Sequence, residues 1–182
     1  MLERTLFVIK PDAVKRGIVG EIIQRVERMG FVIKASKLVQ IDEKLGEAHY
    51  PNSEEWLRTV GERTIEDCNK YGVNLMENMG TEDPIEIGKI VKKWNVDFLC
   101  SGPVFAFVLE GSNAVERLRS LVGSTIPVKA LPGTIRGDFS MDSAIVANIE
   151  KRTIHNLVHA SGTVDEAKNE IDLWFKKEEI LN

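Results

Sequence analysis

His159 stands in company suited to covalent chemistry. It lies in Asn156-Leu157-Val158-His159-Ala160-Ser161, with an amide three residues before it, a hydroxyl two after it, and Glu170 eleven residues further on. An imidazole held by a carboxylate at one nitrogen is free to act as a nucleophile at the other. The chain has three histidines, at 49, 155 and 159, so few positions compete for such a role. A satisfied core histidine is the ordinary reading of an isolated one, and the neighbours are what set His159 apart.

Two further motifs have the chemistry of phosphate binding. Lys10-Pro11-Asp12 places a lysine at the end of an apolar run, aimed beyond the sheet; the plainer reading is a lysine snorkelling at a strand end before a turn. Pro132-Gly133-Thr134-Ile135-Arg136-Gly137-Asp138 places an arginine between glycines. Glycine permits close backbone approach and arginine suits bidentate phosphate contact; the plainer reading is an Arg–Asp pair tying down a turn. Arg119 and Thr125 flank the end of the preceding helix, where each alone reads as a solvated residue or a cap. His155 and His159 stand four apart, a zinc spacing if the segment is helical, but no cysteine lies near and the remaining histidine is His49. Metal ligation is therefore not expected from the protein. A G-x-x-x-x-G-K-[ST] phosphate loop is absent. Phe105-Ala106-Phe107-Val108 faintly echoes an RNA-recognition signature, but Pro103, Val104 and Glu110 occupy places where it needs basic, glycine and aromatic residues.

These residues need a scaffold. Thr5–Lys10 is short, apolar and ended by Pro11, a buried strand. Ile22, Ile23, Val26 and Met29 recur at helical spacing and Gly30 stops them. Residues 31–41 read as a second strand, and 42–50 as a short helix capped by Asp42. Residues 51–95 are polar, with helical pieces near 53–71 and 84–94. The clearest strand is 102–110. A helix follows over 113–122, capped by Asn113, and then a long loop over 124–140. Leu157–Ala160 is a short strand. Thr163–Trp174 is a last helix, with Thr163 and Glu166 as a capping box. The order β-α-β-(α-α)-β-α-β-α predicts an α+β fold: a ferredoxin-like α/β sandwich on a four-stranded antiparallel sheet, with a helical insertion at about 51–100.

At 182 residues and 43% hydrophobic the chain can bury a substantial core as one domain over 1–182. Its net charge of −4 argues against a protein that neutralises nucleic-acid phosphates, while leaving room for a small phosphorylated ligand gripped by local cations. Two cysteines without metal spacing read as reduced thiols in the cytoplasm. Neither a signal peptide nor an apolar run long enough to span a membrane is visible.

Taken together, the residues resemble the nucleoside diphosphate kinase family. The resemblance is carried by Arg4 to Ile23 with Lys10 and Gly20, by Ser101-Gly102-Pro103-Val104, by Pro132 to Phe139, and by Asn156 to Ser161. It implies a ferredoxin-like sandwich and transfer of the γ-phosphate of a nucleoside triphosphate such as ATP to a nucleoside diphosphate. The implied route is ping-pong through a phosphohistidine, with Mg²⁺ on the nucleotide phosphates. By the same resemblance His159 matches the nucleophile, Glu170 the carboxylate that orients it, and Ser161 the hydroxyl beside it. Lys10, Tyr50, Arg119, Thr125, Arg136 and Asn156 match positions that hold phosphates and sugar. Homo-oligomers, hexamer or tetramer, are implied too. The chain departs from the family pattern in a long segment at 51–100, an extension near 141–155, and Gly162 where an acidic residue is common. The family's base-stacking aromatic comes from the first of these, where Trp56, Tyr71, Trp94 and Phe98 are candidates.

Overall fold

The computed structural model describes residues 2–182. Four strands, β1 (Leu2–Ile9), β2 (Val32–Val39), β3 (Val104–Ser112) and β4 (Val158–Ala160), form one antiparallel sheet in the order β2-β3-β1-β4. Ten helices accompany them: α1 (Pro11–Lys15), α2 (Val19–Arg28), α3 (Glu43–His49), α4 (Glu54–Lys70), α5 (Leu75–Met79), α6 (Pro84–Cys100), α7 (Ala114–Val122), α8 (Ile135–Phe139), α9 (Ala144–Ile149) and α10 (Val164–Trp174). This is the α+β, ferredoxin-like arrangement that the strand order predicts.

β1 is the spine of the molecule, and every residue from Thr5 to Ile9 is buried. Successive side chains leave a strand on opposite faces. Phe7 and Ile9 therefore join a core with Ile22 and Val26 of α2, Phe107 and Leu109 of β3, and Leu118 of α7. Leu6 and Val8 join a second core with Val104, Ala106 and Val108 of β3 and Ile171 and Trp174 of α10. Each such side chain contributes about 1.5–3 kcal/mol by leaving water. Two covered faces hold β1 rigidly, and β4 is paired onto its free edge with Val8 opposite His159. The candidate nucleophile thus sits on a short edge strand paired directly to the doubly covered β1.

Several local expectations need correction. α6 continues to Cys100 because Val96 and Leu99 extend its buried stripe. Asn113 does not cap α7 with its side chain; it takes a left-handed backbone, φ 49°. The loop expected at 124–140 contains a 3-10 turn at Pro127–Lys129 as well as α8. Thr163 caps α10 through the Glu166 amide as expected, but the Glu166 carboxylate accepts from Gly162 N–H at 2.9 Å and not from Thr163.

Residues 51–100 form an antiparallel-packed helical layer. α4 and α6 cross so closely that a Cβ on Gly61 would lie 1.8 Å from the Pro84 carbonyl oxygen, and one on Gly88 2.1 Å from that of Leu57. Lys92 of α6 reaches Glu47 at 2.8 Å and Asn52 at 3.2 Å. The pair therefore braces α3, whose end delivers His49 and Tyr50.

Candidate active site

The chain reaches β4 through a strained turn. Leu157 has φ 68°, and Val158 N–H donates to the Asn156 carbonyl two residues back at 2.8 Å. That is a γ-turn with a positive-φ, non-glycine centre, a conformation costing about 1–3 kcal/mol. Two bonds from the start of the chain hold it. Asp12 Oδ2 accepts from Leu157 N–H at 3.0 Å, and the Leu157 carbonyl accepts from Lys10 N–H at 2.8 Å. The turn lets Asn156 and His159, three residues apart, face one cleft.

His159 Nε2 lies 2.9 Å from Glu170 Oε1. The N–H direction misses the carboxylate, so Nε2 makes no aligned hydrogen bond; the two groups meet as a close charge contact. The His159 side chain keeps 22% of its exposure and Glu170 15%, so the ring is reachable while its partner is shielded. Ser161 is fully buried, and its hydrogen bonds go to Glu170 and to β1. Its hydroxyl donates to Glu170 Oε2 at 2.5 Å and accepts from Leu6 N–H at 3.2 Å. It therefore positions the carboxylate against β1.

Near the two histidines, His159 and His49, stand the cations. Lys10 Nζ donates to Asn156 Oδ1 at 2.8 Å, and Asn156 Nδ2 donates to the Thr125 carbonyl at 3.0 Å. Burial, with Arg136 nearby, pushes the Lys10 ammonium down to about 8, against a smaller pull upward from Asp12. Arg136 is also buried. Its guanidinium donates to the carbonyls of Asn156 at 3.0 Å, Gly123 at 2.9 Å and Val158 at 2.7 Å. Burial, and then Arg119, lower it to about 10. Three of its five N–H groups thus hold backbone carbonyls, one of them in β4, and two are left for a ligand. It does not pair with Asp138, which binds Arg25 at 2.7 Å and accepts from Gly133 N–H at 2.8 Å. Gly137 is required there by close approach, since a Cβ would lie 2.1 Å from the Leu131 carbonyl oxygen. Arg119 is exposed, with Nη1 beside Gly162.

Tyr50 packs on the second core, its ring 5.0 Å from that of His49. Burial raises its hydroxyl well above the ordinary phenol range, with Cys100 and Glu170 adding to the effect; it is a neutral donor. Thr125 is exposed and contributes its carbonyl to Asn156. The zinc spacing does not hold. His155 lies outside any helix and stacks on Phe98 at 4.8 Å, 23° between planes. That contact also ties Phe98 to the 141–155 segment, while Tyr71 stays exposed, with the Lys70 ammonium 5.4 Å from its ring centroid.

Sequence reading missed Asp12, His49 and Trp174. Asp12 was visible as the last residue of the lysine motif, and Trp174 as the residue one turn beyond Glu170. Nothing local marked His49, whose ring centroid lies 4.4 Å from that of His159. Nor did anything local mark the pairing of the two, in which the Trp174 indole donates to His49 Nδ1 at 3.2 Å.

An antiparallel sandwich that gathers a part-exposed imidazole, its carboxylate and the cations Lys10, Arg136 and Arg119 has the layout of a phosphoryl-transfer enzyme. The model of the nucleoside diphosphate kinase family matches residues 3–79 and 87–180. A nucleoside diphosphate kinase of Pyrobaculum aerophilum is 48% identical over 180 residues, 99% of this chain and 98% of that protein. One of Thermus thermophilus is 39% identical over 180 residues, 99% of this chain and all of that protein. Among solved structures, an NDP kinase from Pyrobaculum aerophilum superposes with a TM-score of 0.97 at 46% identity, each chain fully covered. A transition-state mimic of the Borrelia burgdorferi nucleoside-diphosphate kinase, with vanadate and ADP bound, superposes at 0.78 and 35% identity, covering all of this chain and 91% of that one. The chain belongs to the nucleoside diphosphate kinase family. The likeness is broader than the motifs alone suggest, since it takes in residues 51–79 and most of α6.

Proposed function

We propose that this protein moves the γ-phosphoryl group of a nucleoside triphosphate onto a nucleoside diphosphate through a phosphorylated His159. The observation that carries this reading is the contact of His159 Nε2 with Glu170 at 2.9 Å. It leaves Nδ1 as the nitrogen for attack. In the first half-reaction the Nδ1 lone pair forms a bond to the γ-phosphorus. The bond from phosphorus to the bridging oxygen breaks, and its electrons leave with the nucleoside diphosphate. The ring then carries N–P and Nε2–H together and is positively charged, a state that Glu170 favours. In the second half-reaction a terminal oxygen of another diphosphate attacks the same phosphorus and the N–P electrons return to the ring.

Such a transfer passes through a loose transition state, so placement and charge supply most of the catalysis. Lys10, Arg119 and the two free N–H groups of Arg136 oppose the phosphate charge. Asn156, Tyr50 and Thr125 supply neutral contacts to phosphate and sugar. Both oxygens of the Asp12 carboxylate accept backbone amides, from Ala13 and Leu157. The cleft therefore presents cations and neutral donors in place of a carboxylate cage, which suits Mg²⁺ arriving on the phosphates as part of the substrate. Discrimination between bases is weak in this reading, because the assigned groups face phosphate and sugar. The protein works in the cytoplasm as a homo-oligomer, hexamer or tetramer; support comes from two free thiols and from Val32 and Leu38, 55% and 60% exposed on edge strand β2. Light scattering measures the assembly.

Incubation with γ-labelled ATP and Mg²⁺, followed by a GDP chase, tests the chemistry. An acid-labile label on the protein that passes to GTP is expected. The His159→Ala variant should bind nucleotide and take no label. A wild-type protein that takes no label, or an alanine variant that still transfers, overturns the reading.

A further inference from the structure

His49 is a buried titratable group against the nucleophile that the transfer as written does not use. It ends α3 and retains only 6% exposure. Its ring stands nearly perpendicular to three others: His159 at 4.4 Å and 79°, Tyr50 at 5.0 Å and 68°, Trp174 at 5.4 Å and 86°. The Trp174 indole N–H donates to His49 Nδ1. An indole nitrogen only donates, so the nitrogen facing it must be bare, and the neutral ring carries its proton on Nε2. Protonating the ring would set a second N–H head-on against the indole N–H.

Ligand atoms of His49, His159 and Glu170 lie within 4.8 Å of one another, a donor set with metal-binding chemistry. The indole contact argues against that use. With Nδ1 engaged and Nε2 protonated, His49 has no lone pair to offer, and ligation would break its bond to Trp174.

We propose that His49, locked by Trp174 as its neutral Nε2–H tautomer, is a positioning residue for phosphoryl transfer: it steadies the His159 ring and keeps a second cation away from it. The proposal rests on His159 being the nucleophile. Attack by Nδ1 leaves positive charge on the His159 ring, and a protonated His49 one ring-width away would oppose that charge in a site with little water to screen it. The titratable and charged groups around His49 are His159 on β4, Tyr50 beside it, Lys10 at the end of β1 and Glu170 on α10. On its own helix Glu47 points outward to Lys92 of α6. Glu170 is already held by Ser161. Burial, His159 and Lys10 all move His49 well below the ordinary histidine range, in the same direction as the indole contact.

Three measurements test this. In wild-type protein with ¹⁵N-labelled histidine, His49 should stay neutral and Nε2-protonated between about pH 5 and 8; a cationic ring or the Nδ1–H tautomer in that range overturns the proposal without any variant. Trp174→Phe removes the lock, so the acid limb of the kcat/KM profile should move to higher pH, and adding His49→Gln should return it. An unmoved limb, or one that the second substitution leaves displaced, overturns the proposal. His49→Gln alone should lower kcat roughly ten- to hundredfold through misplacement of the ring with KM little changed, and a wild-type kcat counts against it. Phosphohistidine labelling of the wild type is run alongside: its absence would overturn the reading of His159, whereas normal labelling with unaltered variants would overturn the role of His49 alone.

Discussion

Lys10 is the residue whose charge depends most on what fills the cleft. In the free protein its ammonium is lowered from 10.5 to about 8, a shift of about 3 kcal/mol. Between about pH 8 and 10.5 the unfolded chain binds more protons than the folded one at this position, so the group's contribution to stability rises with pH across that window. Below it the penalty of the buried cation is present in full. In the proposed reaction phosphate would supply the missing counter-charge. Nucleotide binding near pH 9 should therefore take up a proton, and affinity should fall as pH climbs past about 8. Calorimetry in two buffers of different ionisation enthalpy measures the uptake. Lys10→Met should remove it, and zero uptake by the wild type would sink the argument. The arrangement suits a site that must grip phosphate yet release it twice per cycle.

The elements divide into those that carry the site and those that brace it. β1 and β4 carry it, and the strain at Leu157 is held by Asp12, a contact across 145 residues of chain. α4 and α6 brace it through α3. Their crossing depends on two glycines, so Gly61→Ala or Gly88→Ala forces backbone from backbone and should cost about 1–3 kcal/mol or more, read as a lower melting temperature. Gly20 is the internal control. It lies exposed in α2 with nothing within 4 Å of a new Cβ, so Gly20→Ala should raise stability by about 0.5–1 kcal/mol. If all three variants melt alike, the close crossing is not what holds the pair. Transfer should suffer in the first two variants through His49 and Tyr50, not through loss of cations.

At the scale of the molecule, a net charge of −4 coexists with a cleft holding Lys10, Arg119 and Arg136. The field that draws an anionic nucleotide is thus local and set against an acidic background. Raising ionic strength about tenfold, from below to well above 0.1 M, shortens the screening length to a few ångströms. It should weaken nucleotide affinity and slow association, with the rate at saturation little changed, as titration and stopped-flow would record. A salt-independent affinity would mean that the buried hydrogen bonds, and not the field, dominate binding.

Periodicity and punctuation along the chain were enough to find β1, α2, β3 and α10, because each is a local pattern closed by a proline, a glycine or a cap. The candidates His159, Lys10 and Arg136 were legible for the same reason, each standing in a short motif whose residue types suggest a role, and Glu170 was legible from its place on the helix after His159. Boundaries failed where a buried stripe outlasted a polar stretch, as at the end of α6, or where a left-handed backbone opened the helix, as at Asn113. Other assignments belonged to the fold. The three carbonyls that bind Arg136, the engagement of Ser161 with Glu170, Asp12 with Leu157 and Trp174 with His49 all join groups from separate elements. Trp174 and His49 stand 125 residues apart, and no window along the chain contains both. Closing the sheet and laying α3 and α10 over one face brings them together, and the hydrogen-bonding capacity of the buried partners then decides which nitrogen carries a proton and which N–H groups remain for a substrate.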